Sequence, residues 1–407
     1  MRKTIQTAIL LPAALAFASC GGAQSGDTAP APSDSPAANA QAAAGVAGGE
    51  PVELPETTPF SVTAHGSFDE PWAMAFALGT NTLFITEKRG TMKFVDLPTG
   101  RVGTVTGLPE VAYGGQGGLG DVAFLPSESS DTLSRRTIYL TWAQHGQGDA
   151  RRAAMGRGTL VCESADACRV DGLEVIWRQQ PEIASAGHFS HKIEFSPDGQ
   201  HLFLTSGERM QGEPAQDLSN NLGKVLRLNL DGTPAEGNPF ADRGGVSREI
   251  WSYGQRNILG LQFDGDGRLW GLEHGPRGGD ELNLIERSVN YGWPIVSNGV
   301  NYDGSDIPDH STRPEFRPPV IGWTPVIAPG DFIFYSGDLF PAWRGDALIP
   351  GLGTMALIHV NMEGERATEE ARYDFGQRLR DIVEGPDGSI WMVEDGPDGR
   401  LLRLTPS

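Results

Sequence analysis

Short apolar runs of about five residues, rich in β-branched, leucine and aromatic side chains, recur along this chain between turn-forming stretches. They read Thr82-Leu83-Phe84-Ile85-Thr86, Ile138-Tyr139-Leu140-Thr141-Trp142, His201-Leu202-Phe203-Leu204-Thr205, Arg268-Leu269-Trp270-Gly271-Leu272, Asp346-Ala347-Leu348-Ile349-Pro350 and Ser389-Ile390-Trp391-Met392-Val393. Three are entered through Asp-Gly, in Pro197-Asp198-Gly199, Asp266-Gly267 and Pro386-Asp387-Gly388, a pair that accepts the positive φ of a tight hairpin. A second phrase pairs with the first and predicts an outer strand, Lys224-Val225-Leu226-Arg227-Leu228 and Arg400-Leu401-Leu402-Arg403-Leu404. No amphipathic helix of several turns interrupts the series. About six copies at a spacing of roughly 45 to 80 residues predict four-stranded units that each bury a face on the next. The expected fold is all-β, a six-bladed β-propeller. One or two irregular β-sandwiches are the competing arrangement.

A chain of 407 residues is long enough for one large core. Gly 54 and Pro 29 make up about a fifth of it, which suits many tight turns and lies below the level of low-complexity disorder. The formal charge of −20 excludes nucleic acid as an expected partner, because backbone phosphates need clustered Lys and Arg.

Residues 1–20 carry Arg2 and Lys3, an apolar run over 9–17, and Ala18-Ser19-Cys20, the pattern of an export signal too short to span a bilayer. Cys20, followed by Gly21-Gly22, resembles the bacterial lipobox, in which that cysteine is lipidated and becomes the mature N-terminus. An ordinary signal cut elsewhere is the alternative. Residues 21–50 are dominated by Ala, Pro, Ser and Gly and predict a flexible tether, with the folded domain over 51–407. The protein is thus expected to be exported, periplasmic and lipid-anchored to a bacterial membrane. In an oxidising compartment, Cys162 and Cys168 are expected to close a small disulfide loop. A metal site there lacks a second Cys or His pair.

Chemistry must be argued from residues, since many propellers only bind. Residues 249–294 crowd polar, charged and turn-forming side chains between short apolar runs, as site-bearing loops do. His188, just before the strand Lys192-Ile193-Glu194-Phe195, is placed to face an axial pocket with a pKa near neutrality, and a capping role is the alternative. Gln116 lies in the glycine loop of residues 114–120, which cradles a ligand or simply turns. Arg378 and Arg380, at alternate positions of a strand, present two guanidiniums on one face. With Arg256-Asn257 they suit carboxylate recognition, or form salt bridges at a blade edge.

The ordered phrases GGQGGLGDVAF, the His188 segment, NNLGKVLRLNLDGTP, SYGQRNILGL, EHGPRGGDELNLI followed by NYGWP, and RLRDIVEGPDGSIW resemble the soluble quinoprotein glucose and aldose sugar dehydrogenases. The resemblance covers nearly all of the domain, from Pro71 to Arg403. It implies a six-bladed propeller that uses pyrroloquinoline quinone (PQQ) and Ca2+ to oxidise an aldose at C1 to the lactone. His188 would then be the general base, with Gln116, Arg256, Asn257, Arg378 and Arg380 holding the quinone. The carbonyls of Gly275 and Pro276 would bind the calcium at the quinone, and Glu281 with the Tyr291 carbonyl a second, structural calcium.

Three positions depart from the family pattern. His-x-Gly-Gly-Arg is replaced by His188-Phe189-Ser190-His191-Lys192, which makes His191 an alternative base. The quinone-contacting lysine has no counterpart in Gly351-Leu352-Gly353-Thr354-Met355. Gly187 stands where some relatives carry a carboxylate. A non-redox propeller, either a sugar- or protein-binding module or a calcium-dependent lactonase, is the competing class, although a lactonase has no need of so many cations around a metal. Loop 300–325 is expected to shape the sugar pocket, with the identity of the sugar and of the electron acceptor left open.

Overall fold

The computed structural model describes residues 48–407, so the expectations for residues 1–20, for Cys20 and for the tether up to residue 47 lie outside the described residues. The fold is all-β, and its strands run in antiparallel orders of four, with a fifth strand at the edge of the last. The first two orders share one eight-stranded sheet. Pro71–Phe76, Thr82–Glu87, Thr91–Asp96 and Arg101–Thr106 join Ala167–Arg178, Arg151–Cys162, Arg135–His145 and Leu119–Phe124 through a parallel seam at Thr104 and Ala167. Three separate sheets follow: Ser190–Phe195 to Ile250–Tyr253, Ile258–Phe263 to Ile321–Trp323, and Ile333–Phe334 to Arg366–Asp374. In the last sheet Leu379–Glu384, Ile390–Glu394 and Gly399–Pro406 are completed by the N-terminal strands Phe60–Phe68 and Glu50–Val52, with Val62 opposite Leu404. Chain closure thus ties the two ends of the domain together.

Each of the six apolar runs forms the second strand of its order of four. The reason is burial: Thr82–Glu87, Leu269–Glu273, Ala347–Pro350 and Ile390–Glu394 are buried at every position, because a neighbouring sheet covers each face. Arg366–Asp374, at a sheet edge, instead alternates exposed and half-buried residues. Six hydrophobic clusters fill the junctions, as where Phe84 meets Trp142 and where Met74 and Ile85 meet Trp391 and Val393. The first strands pack in sequence against one another, and Leu379–Glu384 returns to Pro71–Phe76, closing a ring.

Two expectations need correction. Lys224–Asn229 and Gly399–Pro406 are third in order, with Ile250–Tyr253 and Phe60–Phe68 beyond them, so the Arg-Leu phrase marks a covered strand and not the outer one. Loop 300–325 contains the edge strand Ile321–Trp323.

Cys162 and Cys168 form a disulfide between directly paired positions of adjacent strands. Closing so short a loop removes modest entropy from the unfolded chain, about 2 kcal/mol in the chain-entropy account. Replacing both cysteines with Ala is therefore expected to lower unfolding free energy by about 2 kcal/mol in a urea titration of the oxidised protein.

Candidate active site

The N-terminal ends of the ring strands surround a cavity of about 270 Å³. Its wall takes Trp72 from the first order, Gln116 from the glycine loop, Ser190 and His191 from the third, Asn257 and Leu259 from the fourth, and Arg380 from the last. His274, Leu352, Arg378 and Asp395 complete it together with Glu70 and Lys88. Below it Lys192 bridges Asp331 Oδ2 at 2.8 Å and Asp121 Oδ1 at 3.3 Å. Burial opposes the ammonium, but Asp121, Asp331 and Asp381 outweigh it and keep Lys192 charged.

His188 lies beside the cavity wall, and its amide donates to Gln116 Oε1 at 2.7 Å. Its Nδ1 hydrogen-bonds Glu208 Oε1, so the ring donates Nδ1–H to the carboxylate and leaves Nε2 as the basic atom. Burial lowers the His188 pKa, the bond to Glu208 works against that, and the Arg256 charge adds to the lowering. Burial would raise Glu208, but the His188 bond and the Gly212 amide at 2.6 Å hold its carboxyl below the ordinary value. Both directions describe a neutral imidazole on an ionised carboxylate.

Glu208 was not among the sequence candidates. It stands just beyond the strand His201–Ser206, after Gly207, whereas the sequence points to position 187 for a carboxylate. The signal available was its place at the axial end of the strand paired with the His188 segment.

His191 contributes to the cavity wall itself, with Nδ1 2.8 Å from Thr141 Oγ1. Burial takes its pKa down to about 4, and the hydroxyl offers no charge to offset that. Ser190 and His191, at the family's Gly-Gly positions, keep left-handed backbone with φ 56° and 65°, as does His188 at 49°. Such strain concentrates where function fixes the chain. Glycines opposite accommodate this segment: a Cβ on Gly120 would sit 1.9 Å from His191 Cε1, and one on Gly207 2.0 Å from the His188 carbonyl oxygen and 3.0 Å from Ser190 Oγ.

Arg380 is buried at the cavity wall and donates to Asp395 Oδ1 at 2.9 and 2.6 Å. Arg378 donates to Asp395 Oδ2 at 2.7 Å and to the Leu352 carbonyl at 3.2 Å. Both guanidiniums reach the cavity, as expected, although Arg378 lies just before the strand. The strand begins at Leu379 with a register shift before Asp381, and Asp395 brings the guanidiniums together. They are therefore salt-bridged and cavity-lining at once. Asn257 accepts from Ser190 Oγ at 3.1 Å, whereas Arg256 turns aside, donating to the His274 carbonyl at 3.1 Å and to Tyr302 of the 300–325 loop at 3.0 Å.

Gly275 and Pro276 are buried, and their carbonyls accept no hydrogen bond among the described residues. The turn is fixed around them by Asp280, which accepts from the Gly275 amide at 2.8 Å and the Ala328 amide at 2.6 Å. A Cβ at Gly275 would lie 2.3 Å from the Gly278 and Gly279 carbonyl oxygens. Unpaired buried carbonyls suit a hard cation.

Nearby, a void of about 10 Å³ is lined by Glu273, Gly275, Glu281, Tyr291, Ser297 and His310. The Tyr291 carbonyl has no hydrogen-bond partner among the described residues, while Glu281 is approached by His310 Nε2 at 3.4 Å. Burial, and then the Glu281 charge, push Glu273 up to about 8, a repulsion that a cation would relieve. These oxygen donors also fit a calcium ion.

A family model described as Glucose / Sorbosone dehydrogenase matches residues 68–403, and the chain belongs to that family of oxidoreductases. Among its relatives is the aldose sugar dehydrogenase YliI of Escherichia coli (strain K12), 36% identical over 343 residues that cover 83% of this chain and 90% of that one. Solved structures agree. The soluble aldose sugar dehydrogenase (Asd) from Escherichia coli in the apo-form has a TM-score of 0.77 at 34% identity, covering 86% of this chain and 100% of that chain. The PQQ-bound aldose sugar dehydrogenase (Adh) from Streptomyces coelicolor has a TM-score of 0.66 at 25% identity, covering 87% of this chain and 100% of that chain.

Proposed function

We propose that this protein oxidises aldose sugars at C1 to the lactone, on a six-bladed propeller that holds PQQ and calcium in the cavity. The blade count is supported by six apolar second strands and by the ring of first strands. The observation that carries the chemistry is the His188–Glu208 pair beside a cavity walled by Gln116, Asn257, Arg378 and Arg380. Arg378 and Arg380 hold ligand carboxylates, and Asp395 fixes their orientation. Gln116 positions His188 through its amide, and Asn257 orders Ser190 at the cavity wall. Gly275 and Pro276 offer their carbonyls to the calcium, and Glu281 and Tyr291 supply oxygens to a second one. When bound, PQQ accepts the C1 hydride and calcium polarises the carbonyl that receives it. His188 Nε2 takes the C1 hydroxyl proton as the hydride leaves, so the C1–O bond becomes the lactone carbonyl, and Glu208 stabilises the resulting imidazolium. Export with a lipid anchor at Cys20 would place this reaction in the periplasm, a reading that rests on residues 1–20 alone.

The test is dye-linked oxidation of aldoses by the full chain, with and without PQQ and Ca2+, with the product analysed as lactone or aldonate. Dye reduction is expected only when both are added, and chelation before loading is expected to abolish it. An absorbance titration in which the protein leaves the PQQ spectrum unchanged would sink the proposal.

A further inference from the structure

We infer that Lys88 is an additional anchor for the carboxylates of the quinone, supplying from the first blade the cation that the 351–355 segment lacks. This rests on the proposed function. Leu352 shows that the 351–355 segment does reach the cavity, and it brings no charge there. Lys88 does reach the cavity with one. Its backbone is fixed on both sides, with Lys88 N–H donating to the Glu70 carbonyl at 3.0 Å and Leu119 N–H to the Lys88 carbonyl at 3.0 Å. Gly118 permits that approach, since a Cβ there would lie 2.1 Å from the Lys88 carbonyl oxygen.

The ammonium itself is under-partnered. The nearest acid oxygen is Glu70 Oε1 at 3.9 Å, beyond hydrogen-bond reach. Glu70 is otherwise engaged, by Arg89 at 3.1 Å and by the Tyr113 hydroxyl at 2.7 Å. Lys88 Nζ lies 5.7 Å from the Trp72 ring centre, and Arg380 Cζ lies 4.3 Å from the same ring, so one indole carries both cations. The Lys88 side chain is only 16% exposed, and burial draws its pKa below the ordinary lysine value. An anion in the cavity would reverse that.

Charge selects the ligand class. Asp395 offsets one of the two guanidinium charges of Arg378 and Arg380, and without Lys88 the wall holds too little positive charge for a tricarboxylate. Glu70 balances Lys88 only from 3.9 Å and shares its charge with Arg89. A neutral sugar has no use for a further cation, whereas a multiply carboxylated quinone does.

The experiment is equilibrium titration of the full chain with PQQ in calcium, followed by tryptophan quenching, for wild type, Lys88→Met and Lys88→Arg. The trimethyl ester of PQQ serves as a probe without free carboxylates. Lys88→Met is expected to weaken PQQ binding by about tenfold to a hundredfold, the usual worth of a charge-assisted hydrogen bond, with an unchanged thermal midpoint. Lys88→Arg is expected to restore most of the affinity, and the ester to bind wild type and Lys88→Met alike. Wild-type affinity in Lys88→Met overturns this inference alone. Absence of PQQ binding by the wild type overturns it together with the reading it rests on.

Discussion

His188→Gln is expected to lower aldose turnover by about 10²–10⁴, the range that a positioned general base contributes, while PQQ affinity changes little. Two histidines compete for this role, and geometry separates them. His191 shares the cavity wall, but its imidazolium would sit in a buried pocket against a hydroxyl, which is why its pKa falls to about 4. A base must hold the proton it takes, and in the proposed reaction the Glu208 carboxylate on His188 Nδ1 would serve for that moment. His191→Gln is accordingly expected to reduce turnover far less, with its main cost in packing around Thr141 and Gly120. Pre-steady-state reduction of bound PQQ by sugar, read from absorbance, checks both variants. If His191→Gln abolished the fast phase while His188→Gln kept it, the base would have to be reassigned. The pH profile adds a sign. Burial lowers the His188 pKa, so more acid is needed to protonate it. The limiting rate is expected to stay level through neutral pH and to fall only as pH drops below the ordinary histidine range.

How much of this was legible in the sequence depends on which residues face two sheets. The second strands are covered on both faces, so their apolar runs stood out, and all six were visible as Leu, Ile and Trp clusters. The third strands were visible too, yet their arginines suggested an outer edge. The fourth strands, such as Arg366–Asp374, alternate and left no run to find. At the site, Gln116, Asn257, Arg378 and Arg380 could be named from phrases of sequence because each phrase lies at the axial end of a strand. Glu208, Asp395 and Lys88 could not. Each owes its place to a partner on a neighbouring strand or loop or to the ring closure: Glu208 meets His188, Asp395 meets the two arginines from the adjacent strand end, and Lys88 shares Trp72 with Arg380 where the last sheet returns to the first. Ser190-His191 in place of Gly-Gly offered a second histidine as base, and the structure keeps the left-handed path there, with Gly120 and Gly207 supplying the room.

Glu208→Gln is the second large effect, also about 10²–10⁴ in turnover, and it tests whether the carboxylate acts through the histidine. The neutral amide has two ways to face His188. Its oxygen preserves the Nδ1–H tautomer but leaves the imidazolium unstabilised. Its nitrogen donates to Nδ1, moves the ring proton to Nε2 and removes the base. Either way kcat falls, while KM, set by contacts elsewhere in the cavity, is expected to move little. Glu208 also raises the His188 pKa against burial, so its loss should shift the acid limb of the profile to still lower pH. That shift is what a scaffolding role would not produce. Glu208 does have such a role, because its second oxygen accepts the amides of Gln211 and Gly212. The variant should therefore unfold more easily, by about 1–3 kcal/mol for a buried group left unmatched. Lower stability with an unmoved acid limb and near-wild-type turnover would reduce Glu208 to a turn residue. A downward-shifted limb with collapsed kcat would establish that it sets the tautomer and charge of the base.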